Sequence, residues 1–225
     1  LCRVNHATRG FFIYRKPHST KAQLNSFYSE DFGRLDLVAF TSKKQAAFIP
    51  FGLYDLEFTI TPKFGHGTLK HATPLDPFDA TDLDPRYLAI RYFMCDVVNQ
   101  STAYKQKDEE AFNILVSLMQ ELRSSQDIYM FPCTFLAQWM KPLGILPEPI
   151  ENADFFDLHE GVFLNKGIVA VNPGAKSFNE LLNKKQIAEK ATIKPTLDLM
   201  LQYLELHLSN FNVNKTRSII HELFH

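Results

Sequence analysis

The alternation of apolar and polar side chains divides the chain into two regimes. Through the first third the period is two, as half-buried strands require. It is clearest where Tyr54, Leu56, Phe58 and Ile60 share one face and Asp55, Glu57 and Thr59 the other. Gly10 to Arg15, Ala22 to Tyr28, Leu35 to Phe40 and a last run around Thr68 to Thr73 read as further strands. Turn-forming residues separate them at Lys16-Pro17-His18-Ser19, Glu30-Asp31-Phe32-Gly33 and Gly65-His66-Gly67. Short strands in this number, with no helical period among them, predict a small closed barrel. The OB-fold is the commonest barrel of this size that binds nucleic acid.

From Asp82 the period lengthens to that of a helix. Asp84 is placed to cap and Pro85 to start a helix carrying Ile90, Phe93, Met94 and Val97 on one face. A second helix is predicted near Asp108 to Leu122. A third, near Pro132 to Leu143, should stop at Gly144. The stretch from Pro147 to Gly174 reads as loop, with Phe155 to Leu158 and Val162 to Leu164 able to pair as a hairpin. Ser177-Phe178-Asn179-Glu180 matches a capping box opening another helix. An amphipathic helix near Thr196 to Leu208 and a terminal one packing through Ile219, Ile220, Leu223 and Phe224 complete the series. The fold class is therefore α+β, an N-terminal OB-fold β-barrel (1–75) followed by an α-helical domain (76–225) with a short hairpin near 155–164.

Charge sharpens this division. The chain of 225 residues has a net charge of −1, but residues 1–75 hold ten of its 24 Lys and Arg and five of its 25 Asp and Glu. A basic barrel beside an acidic remainder suggests a polyanion bound on one half only. Arg15, Lys16, Lys21, Arg34, Lys43 and Lys44 fall at strand ends or in loops, with aromatic residues among them. That mixture suits a single strand of nucleic acid, whose phosphates pair with cations while its bases stack on rings. Most of the aromatic residues are needed to fill the barrel, and Phe27 and Phe32 are the pair expected at the surface.

Other chemistries leave weaker traces. The segment His221-Glu222-Leu223-Phe224-His225 is a literal H-E-x-x-H, which on a helix places two imidazoles one turn apart to hold zinc while the Glu activates water. A third protein ligand normally lies downstream of the motif, and the helix already has a packing role. A zinc metallohydrolase is therefore kept only as an alternative, beside a module that binds protein alone. Cys2, Cys95 and Cys133 are too far apart for a C-x-x-C site or a disulfide framework, and although Cys133 sits at a helix start, a buried thiol is its ordinary state. The sequence contains no P-loop, no G-x-G-x-x-G and no G-x-S-x-G. No run approaches the ~18 apolar residues of a membrane span, and Leu1 to His6 lacks the apolar core of a secretory signal, so a cytoplasmic protein is expected. The missing initiator Met hints at a processed N-terminus. No cofactor is expected.

Taken in order, several segments resemble the bacterial RecO family. Thr8-Arg9-Gly10 leads into the first strand, and Phe27-Tyr28-Ser29-Glu30-Asp31-Phe32-Gly33-Arg34 is similar to the family's (Y/F)-T-E-x-x-G turn. Ser42-Lys43-Lys44 and Pro50 to Phe58 resemble the segments that follow. In the helical half, Phe135-Leu136 with Leu143-Gly144-Ile145-Leu146-Pro147 is similar to F-x-x-x-x-L-x-x-L-G-x-x-P, and Phe156-Asp157-Leu158, Gly161-Val162-Phe163, Tyr203 to Leu208 and Ser218 to Phe224 also resemble it. The resemblance implies an OB-fold, a helical C-terminal domain and no catalytic centre. It further implies binding of single- and double-stranded DNA, strand annealing, and cooperation with RecR and the single-strand-binding protein to load recombinase. Lys43 and Lys44 best match the family's basic DNA-binding positions. Many relatives carry a four-cysteine zinc knot after the L-G-x-x-P segment; Pro147 to Gly174 contains no cysteine, which implies a zinc-less branch.

Overall fold

A computed structural model describes residues 4–40, 47–60, 67–75, 84–125, 128–165, 172–183 and 190–223. Strands β1 (Val4–Ser19), β2 (Ala22–Ser29), β3 (Gly33–Phe40), β4 (Leu53–Ile60) and β5 (Gly67–Pro74) close into a barrel in the order β1-β2-β3-β5-β4. This is the OB-fold arrangement, with β3 and β5 parallel and the other pairs antiparallel.

The first strand is far longer than its sequence pattern predicts because it serves two partners. Val4 to Phe11 pair with β4, and Gly10 to Ser19 pair with β2. One strand can serve both only by bending sharply, and the bulge between Phe12 and Tyr14 is where such a bend is accommodated. Lys16 to Ser19, expected as a turn, continues the strand instead. Pro17 is tolerated there beside a second irregularity between Pro17 and Ser19, and the turn itself falls at Thr20-Lys21. Inside the barrel, Phe12, Phe27, Leu35, Leu37, Tyr54, Leu56 and Phe58 form a continuous core.

Helix α1 (Pro85–Ser101) begins where the sequence places it, with Asp84 accepting from the Arg86 backbone N–H at 2.9 Å. Helix α2 (Glu109–Ser124) is capped in the same way by Asp108, which accepts from Ala111 N–H at 2.9 Å. The chain separates into compact units at Leu1–Asn113 and Ile114–His225. The barrel thus ends well before the first unit does: Cys95 Sγ lies 3.5 Å from the Phe12 carbonyl, and Phe112 packs 5.4 Å from Phe11, which itself stacks on Phe51 at 4.8 Å.

The second unit contains α3 (Phe131–Trp139), β6 (Phe155–Asp157), β7 (Val162–Leu164), α4 (Ala175–Leu182), α5 (Ile193–His207) and α6 (Asn214–Leu223). The expected hairpin is present, and Phe156 and Phe163 pack with Phe178 and Tyr203 behind it. Helix α3 stops at Trp139, and a turn carries the chain to Gly144 at φ +71°. The capping box is not realised. Helix α4 starts from Gly174 at φ +87°, where a Cβ would meet the Pro195 carbonyl oxygen at 2.5 Å, so Ser177 lies buried within the first turns. Ile219 faces solvent while Ile220 is buried, so only one of the two packs as expected; the side chain of Leu223 and all of Phe224 lie outside the described residues.

Candidate nucleic-acid interface

The pairing of β1, β2 and β3 fixes which side chains share the outer face of the barrel. Lys16 pairs with Leu24 and Leu24 with Val38; Tyr14 pairs with Ser26 and Ser26 with Asp36; Ala22 pairs with Phe40. Paired residues point the same way, so Tyr14, Lys16 and Phe40 stand on one surface around the small apolar cluster of Ala22, Leu24 and Val38. Phe40 is 68% exposed at the end of β3, and Lys21 is exposed in the turn beside its partner Ala22. Lys16 lies over the Tyr14 ring, its Nζ 5.9 Å from the centroid. This end of the barrel therefore presents cations and rings together.

The remaining predicted residues are placed differently. Arg15 faces inward at the barrel mouth, donating to Asn25 Oδ1 at 2.8 Å with its guanidinium 5.1 Å from the Phe48 ring. Burial draws its pKa below the ordinary arginine value, which leaves it cationic at neutral pH. Arg34 is six residues along the sheet from the hairpin tip, about 20 Å away. Its Nη1 donates to the Asn99 carbonyl at 2.6 Å in the last turn of α1, so its charge answers a helix C-terminus. Lys43 and Lys44 lie outside the described residues.

The expected surface pair of rings is corrected. Phe27 is fully buried, edge-on to Phe12 and Phe48 at 5.7 and 5.4 Å, and has no face to offer a base. It pairs with Leu35 and Phe12, so strand alternation commits it to the core. Phe32 is half-buried and packs edge-on to Phe58 at 5.4 Å, closing the opposite end of the barrel. The ring the sequence did not single out is Phe40. Alternation sets it opposite Leu35, Leu37 and Ala39, and that signal was present.

Tyr104 and Lys105, in the linker between α1 and α2, had no such signal because only tertiary structure brings them to the barrel. Lys105 N–H donates to the Arg34 carbonyl at 3.0 Å, laying the linker beside β3. The Tyr104 ring is 5.2 Å from Lys105 Nζ and 6.0 Å from the Arg34 guanidinium carbon. Burial chiefly, with the neighbouring Asp36 next, raises the Tyr104 phenol above its ordinary pKa.

The competing chemical readings find little support in the geometry. Cys133 is fully buried, and that burial pushes its thiol up to about 12, the wrong direction for a nucleophile. Cys95 is likewise buried and raised. His221 Nε2 lies 3.0 Å from Asp198 Oδ1, which also accepts from Arg217 Nε at 2.9 Å, so the first imidazole of the H-E-x-x-H segment faces an ion pair. His225 lies outside the described residues. Among the described residues no three His, Cys, Asp or Glu side chains gather as a metal site, and no helix is long and apolar enough to cross a membrane.

A five-stranded OB-fold with cations and rings at one end of the barrel, continued by helices, defines the class of OB-fold proteins with a helical C-terminal part. Residues 83–154 match the family model described as the C-terminal part of recombination protein O. The DNA repair protein RecO of Flavobacterium psychrophilum is 24% identical over 83% of this chain and 84% of its own length. That of Azobacteroides pseudotrichonymphae is 21% identical over 97% of this chain and 99% of its own length. That of Christiangramia forsetii is 23% identical over 69% of this chain and 70% of its own length. The chain is thus similar to RecO proteins over most of its length, and its residues 83–154 match the RecO C-terminal family model.

Proposed function

We propose that this chain is a non-enzymatic DNA-binding and strand-annealing mediator of recombinational repair. It acts in the cytoplasm with RecR and the single-strand-binding protein to load recombinase onto single strands. The barrel, residues 1–75, is the DNA-binding part, and the acidic remainder, 76–225, is the part that receives protein partners. Similarity to RecO proteins supports a role in DNA repair. The observation that carries the DNA-binding reading is the meeting of Lys16, Lys21, Tyr14 and Phe40 at one end of the barrel, around the hairpin that OB-folds use for oligonucleotides. Like charge keeps DNA away from the acidic part.

Binding of this kind is mainly electrostatic and is read through its dependence on salt. Titration of a labelled oligonucleotide at two salt concentrations should show tight binding at low salt that weakens steeply. Substituting Lys16 and Lys21, or Lys43 and Lys44, by Ala should lower the single-strand slope by about 0.7 for each phosphate left without its cation. A parent protein that retains no DNA at low salt would overturn the proposal in favour of a module binding protein alone. Unchanged slopes in both double variants would remove these four lysines from the site.

A further inference from the structure

The linker between α1 and α2 is held against the barrel more firmly than a connection requires. Gly33, at φ +60°, lets the linker approach so closely that a Cβ there would lie 1.9 Å from the Gln106 carbonyl oxygen. The backbone bond from Lys105 to Arg34 then fixes the register, with Arg34 and Tyr104 bridged as in a parallel ladder. The Tyr104 hydroxyl is bonded to the backbone of Asp36, and Asp36 lies in the same row of the sheet as Tyr14. Four residues farther along β3, about 13 Å at strand rise, stands Phe40.

Among the described residues two rings thus remain at the surface of one sheet face, Phe40 68% exposed and Tyr104 39%, in a barrel whose other described phenylalanines are buried wholly or in part. Each has a lysine at hand: Lys21 beside Phe40, and Lys105 with its Nζ 5.2 Å from the Tyr104 ring. Lys16, over Tyr14, stands between them. Rings alternating with cations along one strip match an unpaired strand, whose bases present free faces and whose phosphates follow the edge. A duplex offers the same phosphates but keeps its bases stacked on one another.

We infer that the α1–α2 linker completes the DNA face of the barrel, with Phe40 and Tyr104 as stacking platforms for the bases of a single strand and Lys16, Lys21 and Lys105 along its phosphates. This rests on the DNA-binding reading above and names the form of DNA that the face selects. Lys105 itself sits at φ +58°, uncommon for a residue with a side chain, and its backbone bond to Arg34 and the close approach of Gln106 to Gly33 hold the linker there. The linker therefore meets the strand already shaped.

The test uses the full chain with a labelled oligodeoxythymidine and a duplex of equal length, each titrated at two salt concentrations. Phe40→Ala and Tyr104→Ala should each weaken single-strand binding about five-fold or more, leave the salt slope unchanged and scarcely alter duplex binding. Tyr104→Phe keeps the ring and should bind like the parent, which separates stacking from any loss of fold. The inference is overturned if the Ala variants bind the single strand as the parent does, or if both forms of DNA weaken equally. Should the parent retain neither form while the lysine variants change nothing, the DNA-binding reading itself fails.

Discussion

Single residues of this barrel divide sharply between packing and surface chemistry, and the division is measurable. Phe27 touches Phe12, Phe48 and Tyr54 at the centre of the core. Phe27→Ala should cost about 3–5 kcal/mol of stability, read as a fall in the denaturant midpoint. A stable variant with weakened DNA binding would contradict that placement. Arg9 and Glu30 form a two-pronged ion pair at 2.6 and 2.8 Å across the start of the β2–β3 turn. The Arg9 hydrogen bond holds the Glu30 carboxyl below the usual carboxylate range, because it favours the charged form more than partial burial opposes it. The folded value lies below the unfolded one, so the stabilisation is fully present above the unfolded value, about 4.3, and is lost as the pH falls through the folded value. Glu30→Gln should flatten that part of the acid limb in a series of melts between neutral and acid pH; an acid limb identical to the parent's would refute the pairing.

At the scale of elements, the linker on β3 makes the strongest demand. Gly33→Ala must either move the Gln106 backbone or give up the positive φ, and should destabilise the protein by roughly 1–3 kcal/mol. Hydrogen exchange should locate the loss at 102–107, with α5 and α6 of the second unit unaffected; uniform loss would show that the linker is not the element disturbed. Much of the barrel was legible in the sequence because strand alternation reports burial directly. Tyr54, Leu56 and Phe58 are core as their period requires, and Asp84 caps α1. What stayed hidden is what depends on a second element. The doubled partnership of β1, the seat of Tyr104 and Lys105 on β3, and the left-handed Gly174 that displaces the Ser177 capping box all come from contacts between segments remote in sequence. Arg34 shows the same limit. As a charge it looked available to phosphate, and only the proximity of the last turn of α1 commits it to Asn99.

For the molecule as a whole, the remaining chemical question is whether its closing H-E-x-x-H segment holds a metal. His221 is engaged at 3.0 Å with Asp198, on an ion pair that ties α6 to α5. Purified protein should carry no stoichiometric zinc, and a chelator should leave its melting temperature unchanged. Zinc bound one to one and released by His221→Ala would reverse that expectation and restore the hydrolase reading.

The ladder between β3 and β5 includes only Leu37–Gly67 and Val38–Thr68 among the described residues, so the early part of β3 takes its neighbour from the linker at Arg34. This has a consequence for synthesis. When the five strands have left the ribosome, the stretch around Tyr104 is still some thirty residues behind, a delay of about 2–6 s at ordinary elongation rates. Throughout that interval the nascent barrel carries an unprotected strand edge, a template for pairing with another chain. A fragment ending at residue 75 should accordingly self-associate on a sizing column where one ending at residue 113 runs as a monomer. The segment that we place on the DNA would then also be the one that keeps newly made copies apart.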